Sequence, residues 1–125
     1  MTGVQTCALP IWLDERPSHV VYNGHASSLV KNPLRAKVGD TVRIFFTNAG
    51  PNHVASWQII DQTFDRVYHE GSLITPPLEN VKTAKVPAGG ATVAEIKVKA
   101  AGTYNSIDSV KGRKDKGALG LLKVE

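Results

Sequence analysis

The 125-residue sequence predicts an all-β domain, and three features of its pattern indicate this class. Apolar and polar residues alternate with a period of two in several segments, as in strands that bury one face. Glycine and proline separate these segments at short intervals, as in Pro87-Ala88-Gly89-Gly90. No stretch of three or four turns carries a helical period. About eight short strands with turns at this spacing are typical of a β-sandwich or barrel.

Two segments show the alternation most clearly. Thr41–Thr47 places Val42, Ile44 and Phe46 on one face, and the preceding Gly39-Asp40 supplies a turn. Ala91–Lys99 has Thr92, Ala94, Ile96 and Val98 at even positions and the charged Glu95, Lys97 and Lys99 at odd positions, which predicts a strand with one buried face. The other predicted strands, in chain order, are His19–Tyr22, Val54–Ile60, Phe64–Tyr68, Val81–Val86, Thr103–Ile107 and Ala118–Val124. A short helix could fit only in Ala26–Lys31 or Ser109–Lys114.

Length and composition limit the possible classes of function. A chain of 13.5 kDa fits one domain, and no apolar run approaches the ~20 residues that cross a bilayer. The formal net charge of +4 comes from lysines scattered through the second half of the chain. Nucleic-acid binding needs a concentrated basic surface, and the densest run, Lys111–Lys116, is interpreted as a solvated loop. We therefore expect no membrane span and no nucleic-acid partner.

The first twelve residues do not fit the pattern of the rest. Residues 1–12 lack the basic start and apolar stretch of a signal peptide, and they resemble translated sequencing-adaptor sequence. They contain Cys7, the single cysteine of the chain, which rules out an internal disulfide. We interpret residues 1–12 as a non-native segment and residues 13–125 as one domain of a larger protein. Cys7 is then expected to carry no function.

The sequence contains no motif for phosphate binding, esterase chemistry or a zincin site. The possible metal ligands or bases are His19, His25, His53 and His69, which fall on or beside four different predicted strands or loops. A blue-copper site needs two histidines and a cysteine thiolate, and only Cys7 is present. A histidine-only copper or zinc site would need three of these imidazoles to converge, and the alternative is that they are surface or turn residues.

The carboxylates give no clear acid-base pair. Asp61 and Asp65, and Glu70 and Glu79, are interpreted as loop residues without an identifiable partner. Asp108, near the end of an apolar strand, is the most interesting of the acidic residues. It is either a functional carboxylate or a cap at the end of a strand or turn.

Several blocks of sequence resemble one family in the correct order. Lys37–Phe46 has a common cupredoxin strand pattern, and further blocks resemble the second cupredoxin domain of copper-containing nitrite reductases. These blocks are Leu13–Gly24, Asn48–Asn52, Phe64–Tyr68, Pro87–Ala91 and Lys116–Gly120. The resemblance covers roughly residues 13–125 and implies a Greek-key β-sandwich of the cupredoxin type, with a multicopper-oxidase-like relationship.

The resemblance also implies a parent protein. Members of the family are typically homotrimers of the periplasm or cell envelope and reduce nitrite to nitric oxide. Each subunit has two cupredoxin domains, so an upstream cupredoxin domain that holds most of the copper ligands is expected. The second domain contributes two histidines to an active site shared with a neighbouring subunit: one relays a proton, and the other ligates the catalytic copper.

Both of those histidines are replaced in this sequence. Ser56-Trp57-Gln58 stands where the family has Ser-Phe-His, which puts Gln58 at the proton-relay position. Ile107-Asp108-Ser109 stands where the family has Val-Asp-His, which puts Ser109 at the copper-ligand position. Glutamine has no proton to exchange near neutral pH, and serine is a poor copper ligand. The sequence therefore predicts no intact catalytic, cofactor or metal site.

Two functions follow from these replacements. In the first, the chain is a domain of a copper nitrite reductase-like oxidoreductase and is inactive as a fragment. In the second, it is a structural domain that packs an electron-transfer protein into a trimer. Copper is expected in the parent protein and not in this fragment.

Overall fold

A computed structural model describes residues 2–5, 19–50 and 52–125 of the chain. Eleven strands in this part of the chain form two sheets: β1 Thr2–Gln5, β2 Val21–Tyr22, β3 Leu34–Ala36, β4 Thr41–Asn48, β5 Ala55–Ile59, β6 Phe64–His69, β7 Leu78–Val81, β8 Ala84–Val86, β9 Ala91–Lys97, β10 Gly102–Asp108 and β11 Leu119–Val124. One helix, α1, spans Ser28–Lys31. The predicted all-β class is confirmed.

The two sheets have different strand orders. Sheet A runs β2-β1-β4-β9-β6-β7, and sheet B runs β3-β11-β10-β5-β8. Neighbouring strands are antiparallel except for the pairs β1–β4 and β3–β11, which are parallel. Because strands close in sequence alternate between the sheets, the chain crosses the sandwich repeatedly, as in a Greek-key fold.

An aromatic cluster fills the space between the sheets. Phe46 of sheet A stacks on Trp57 of sheet B at 4.8 Å between ring centroids, and Phe64 contacts the other side of Trp57 at 4.7 Å. Tyr22 meets Phe46 edge-on at 6.1 Å. All four rings are fully buried, so their contacts join both sheets and fix how the sheets pack.

Strands β1 and β3 were not predicted, and three further differences separate the predicted elements from the observed ones. The predicted strand Val81–Val86 is wrong, since β7 pairs with β6 in sheet A while β8 pairs with β5 in sheet B. The chain changes sheets at Lys82-Thr83, which the apolar pattern does not mark. The possible helix at Ser109–Lys114 is wrong because this segment forms turns, whereas α1 lies within the other expected location.

The third difference concerns the single buried face of β9. Val93 and Glu95 lie on the opposite face from Ala94 and Ile96, yet all four are buried. This occurs because β9 is an inner strand of sheet A, and side chains of β4 and β6 flank its outer face. The prediction of one buried face is therefore wrong between residues 92 and 96. In β4 the predicted alternation is confirmed, with Ile44 and Phe46 buried and Arg43 exposed.

Two positions require glycine, one in the turn before β4 and one where the short helix packs on β11. Gly39 has φ +94° in the turn before β4, where Asp40 accepts a hydrogen bond from the Lys37 backbone N–H at 2.9 Å. Gly120 in β11 faces α1, and a Cβ there would lie 3.0 Å from the Leu29 Cβ. A side chain at Gly120 would therefore displace Leu29, through which the short helix packs on sheet B.

Candidate functional site

The two positions singled out by the resemblance lie on one face of sheet B. Strands β5 and β10 pair so that Gln58 is opposite Ile107 and Trp57 is opposite Asp108. The backbone N–H of Ser109, just beyond β10, donates to the Ser56 carbonyl oxygen at 2.8 Å. Because side chains alternate along a strand, Gln58 and Ser109 project from the outer face as diagonal neighbours, typically ~7–8 Å apart.

Gln58 is held by a neighbouring hydroxyl. It is half-buried, and its Oε1 accepts a hydrogen bond from the Thr83 hydroxyl at 3.2 Å. Thr83 lies between β7 and β8, where the chain changes sheets. Ser109 is exposed at the start of the loop that leads to β11. The face therefore presents an amide and a hydroxyl at the two positions.

Directly behind Ser109, Asp108 is the centre of a polar network. Its side chain has 0% exposure, and its Oδ2 lies 2.6 Å from Nη1 of Arg113, whose side chain is 13% exposed. Asp108 Oδ1 accepts hydrogen bonds from the backbone N–H of Val110 at 3.0 Å and of Ser56 at 3.4 Å. The interpretation of Asp108 as a cap at the end of a strand is thus confirmed, with an ion pair in addition.

Arg113 connects the loop to a second strand. The same Nη1 that pairs with Asp108 donates to the Val54 carbonyl oxygen at 2.6 Å, just before β5. One guanidinium therefore links the β10–β11 loop to the ends of both β5 and β10. We call Asp108, Arg113 and the Val54 carbonyl the loop clamp. A buried carboxylate is stable only when paired and hydrogen-bonded in this way.

The loop clamp corrects the interpretation of the basic run Lys111–Lys116. Lys111, Lys114 and Lys116 are exposed, as a solvated loop requires, but Arg113 is turned inward. Sequence reasoning missed Arg113 because the other five residues of Lys111–Lys116 are charged residues or glycine. The available signal was an acid at the end of a strand followed five residues later by arginine.

A second polar group lies deeper beneath this face. The Trp57 indole N–H donates to the Ser106 hydroxyl at 2.8 Å, which satisfies the one polar atom of the central aromatic ring. The Tyr22 hydroxyl is buried and has no hydrogen-bond partner of regular geometry among the described residues. Burial raises the pKa of Tyr22 well above its ordinary value, the Asp108 carboxylate raises it further, and Ser106 opposes the shift. The phenol is therefore kept neutral.

The four histidines lie in separate regions. His19 precedes β2, His25 lies in the turn after it, His53 precedes β5, and His69 ends β6. No group of three or more histidine, cysteine, aspartate or glutamate side chains that could hold a metal ion occurs in residues 2–5, 19–50 and 52–125. Cys7 lies outside the described residues.

The other carboxylates also differ from expectation. Asp65 and Glu79 lie in β6 and β7, so their interpretation as loop residues is wrong. Asp65 Oδ2 accepts a hydrogen bond from the Lys97 backbone N–H at 2.6 Å, which is a structural role. Asp61 and Glu70 lie in turns and have φ of 63° and 55°. Within the described segments, no helix is long and apolar enough to span a membrane.

The fold and the order of its strands define a cupredoxin-type domain. The chain is 44% identical to the copper-containing nitrite reductase of Neisseria gonorrhoeae over 98% of its own length and 31% of that protein. It superposes on the copper-containing nitrite reductase of Thermus scotoductus SA-01 with a TM-score of 0.92 and 26% identity, covering 99% of this chain and 30% of that one. It also superposes on a multicopper oxidase with a TM-score of 0.84 at 18% identity, covering 99% of this chain and 42% of that one.

These comparisons confirm the predicted resemblance to a cupredoxin domain of copper-containing nitrite reductases. No family model matches the chain. The chain spans about a third of the length of the curated relatives that it matches. The similarity to the multicopper oxidase, at under a fifth identity, shows the shared fold alone.

The residues on the outer face of sheet B do not fit a copper ion. Copper in proteins is bound by imidazole and thiolate, whereas Gln58 offers an amide and Ser109 a hydroxyl. The carboxylate nearest to Ser109 in sequence is already paired with the Arg113 guanidinium. No reaction step through copper is therefore derived for this face.

Proposed function

We propose that the chain is a cupredoxin domain of a longer, copper nitrite reductase-like oxidoreductase and that this domain supplies no copper ligand or proton relay. The proposal rests on the resemblance, which assigns Gln58 and Ser109 to positions where the family has histidine, and it is supported by their placement as outward neighbours on sheet B. The loop clamp supports it, because ionic and hydrogen-bonding contacts hold the loop after Ser109.

The chemistry of the two side chains explains why catalysis is not expected here. An imidazole exchanges protons near neutral pH, while the Gln58 amide does not. Gln58 can still orient a polar group by hydrogen bonding, but its carbonyl oxygen is already used by Thr83. Ser109 lacks the nitrogen lone pair through which histidine binds copper. Nitrite reduction, if the parent protein performs it, would need these groups from another source.

The parent protein is proposed by resemblance. It would have an upstream cupredoxin domain that holds its electron-transfer copper, form a homotrimer, and function in the periplasm or cell envelope. In this arrangement the outer face of sheet B would meet a neighbouring subunit.

A second candidate is a purely structural role, in which the domain packs an electron-transfer protein into a trimer. The loop clamp favours it, because a loop fixed by Arg113 keeps its shape without a metal ion. In this case the parent protein would carry copper only in its upstream domain. The two candidates share the absence of copper ligands in this chain and differ in the activity of the whole protein.

The experiment that tests the shared claim uses the 125-residue chain and a double variant, Gln58→His with Ser109→His. Each is incubated with Cu(II), dialysed, and analysed for copper per chain. The unaltered chain is expected to retain none, and stoichiometric retention would contradict the proposal. In the full-length protein, the double variant is expected to gain copper at the subunit interface. Gln58→Asn with Ser109→Thr is the control, since neither replacement adds a nitrogen ligand.

We further propose that residues 1–12 are not part of the natural protein. Thr2–Gln5 form β1, which pairs with β2 and β4 in sheet A, so the natural upstream sequence would have to supply this strand. The remaining residues of this segment lie outside the described residues. A long sequencing read across the 5′ end of the gene tests this, with a different upstream coding sequence as the expected result. An unchanged sequence for residues 1–12 would contradict it.

A further inference from the structure

The sequence contains one Asn-Gly pair, Asn23-Gly24, and it forms the turn that follows β2. Asn23 has φ 52° and Gly24 has φ 77°, and the His25 backbone N–H donates to the Tyr22 carbonyl oxygen at 3.4 Å across them. Two consecutive residues with positive φ inside such a hydrogen bond are typical of a type I′ turn, which favours Asn-Gly. The turn therefore accounts for the choice of both residues.

An asparagine side chain can react with the backbone nitrogen of the residue that follows it. At this turn the Gly24 nitrogen would lose its proton and form a bond to Cγ of Asn23. The Cγ–Nδ2 bond would break, and ammonia would leave behind a five-membered cyclic imide. Water then opens the ring at either of its carbonyl carbons and produces aspartate or isoaspartate. The net reaction consumes one water and releases one ammonia, and it needs no oxidant, reductant or enzyme.

Both reacting groups are accessible in the folded chain. Asn23 and Gly24 are exposed to solvent. Among the described residues, neither the Asn23 side chain nor the Gly24 N–H makes a hydrogen bond that would have to break first. Gly24 has no Cβ, so its own side chain does not shield the nitrogen. An exposed turn beside a two-residue strand opens locally at low cost, which lets the nitrogen reach Cγ.

Asn80 is the most informative comparison within the chain. It is exposed and has φ 55°, nearly the same backbone conformation as Asn23. The residue that follows it is Val81, whose β-branched side chain crowds the backbone nitrogen. Asn80 also lies within β7, which pairs with β6. The two asparagines therefore share exposure and φ, and they differ in the access to the next nitrogen and in strand pairing.

Two further asparagines show other ways in which the reaction is blocked. Asn48 is buried, and its Nδ2 donates to the carbonyl oxygens of His53 at 2.7 Å and of Val86 at 3.0 Å. Its amide is therefore held by the fold and cannot turn toward the backbone. Asn32 precedes Pro33, whose nitrogen has no proton to lose and is already substituted by the ring.

We propose that Asn23-Gly24 is a site of spontaneous deamidation, at which the chain acquires aspartate and isoaspartate as it ages. Both products add one negative charge. Isoaspartate also inserts a methylene group into the backbone of the two-residue turn, which displaces the His25 N–H from the Tyr22 carbonyl oxygen. Because the Tyr22 ring packs edge-on against Phe46 in the core, the isoaspartate form is expected to unfold at a lower urea concentration.

Ageing of the 125-residue chain in mildly alkaline buffer tests the proposal. Digests are followed by mass spectrometry, with a fragmentation method that distinguishes aspartate from isoaspartate. Conversion at Asn23 is expected to be at least about tenfold faster than at Asn80, because a nitrogen without a neighbouring Cβ is the less hindered nucleophile. Conversion at Asn23 that is no faster than at Asn80 would overturn the proposal.

Matched variants separate the modification from its structural effect. Asn23→Gly removes the reacting amide and keeps a residue that readily takes positive φ, so it is expected to stay a single charge species on ageing. Freshly prepared Asn23→Asp has the added charge without the longer backbone, and its urea midpoint is expected to match that of the unaltered chain. Only the aged chain is expected to show a fraction with a lower midpoint. Charge variants that form equally fast in Asn23→Gly would contradict the proposal.

Discussion

Two ion pairs in the sandwich hold similar groups in different surroundings. Asp108 and Arg113 have side-chain exposures of 0% and 13%, whereas Glu95 and Arg43 have 10% and 62%. Asp108 also accepts backbone hydrogen bonds and so fixes a loop, while Glu95 bonds a neighbouring strand that the sheet already holds. The comparison indicates that the Asp108–Arg113 pair determines local structure and that the Arg43–Glu95 pair adds little to it.

The largest expected effect comes from breaking the loop clamp. Arg113→Met leaves the Asp108 carboxylate buried without its cation, and loss of one partner of a buried pair typically costs ~3–5 kcal/mol. We expect a lower urea midpoint and faster proteolysis within the loop at residues 109–117. Asp108→Asn with Arg113→Met removes both charges and is expected to recover part of the loss. An unchanged midpoint for Arg113→Met would show that the pair is not structural.

The second-largest expected effect is a fall in the free energy of unfolding at alkaline pH. Since the pKa of Tyr22 is raised in the folded state, the unfolded state releases this proton first as the pH rises. The unfolded state then binds fewer protons, so the free energy of unfolding falls above pH ~10, by up to ~1.4 kcal/mol per pH unit. Unfolding in urea between pH 8 and 11 measures this slope. Tyr22→Phe is expected to have a smaller slope, and an equal slope would contradict the assignment to Tyr22.

The smallest effect is expected at the exposed pair. Arg43→Met removes a cation that is 62% exposed and leaves Arg66 beside Glu95 on the next strand, so we expect a loss of ~1 kcal/mol or less. Added NaCl is expected to reduce the difference between Arg43→Met and the unaltered chain, since salt screens exposed charges. The difference caused by Arg113→Met is expected to change little with salt. If both variants responded equally to salt, the comparison of buried and exposed pairs would fail.

The sequence predicted the fold class well because the information is local. Alternation in Thr41–Thr47 and the turn at Gly39-Asp40 depend on neighbours in sequence, and both are observed. The change of sheets at Lys82-Thr83 and the short parallel strand β3 were missed. Three residues are too few to show a period, and the pairing of β3 with β11 joins segments far apart in the chain.

Some residues of the candidate site could likewise be predicted from the sequence, and others could not. Resemblance of short motifs was sufficient to single out Gln58 and Ser109, and the strand register places them on one face. The role of Arg113 could not be predicted, because it depends on a turn that brings a guanidinium back to Asp108 and Val54. The side-by-side placement of Phe45, Val93 and Tyr68 on the outer face of sheet A was also missed, since these residues come from three strands that meet only in the folded sheet.

The central claim, that this domain contributes no copper ligand, is tested most directly by the copper content of the full-length protein. Copper per subunit is measured by elemental analysis, the kind of copper site by electron paramagnetic resonance, and nitrite reduction on the same sample. The account predicts no copper ligated by this domain at its interface, and a catalytic copper ligated by this domain would contradict it. Two coppers per subunit together with nitrite reduction would exclude the purely structural role.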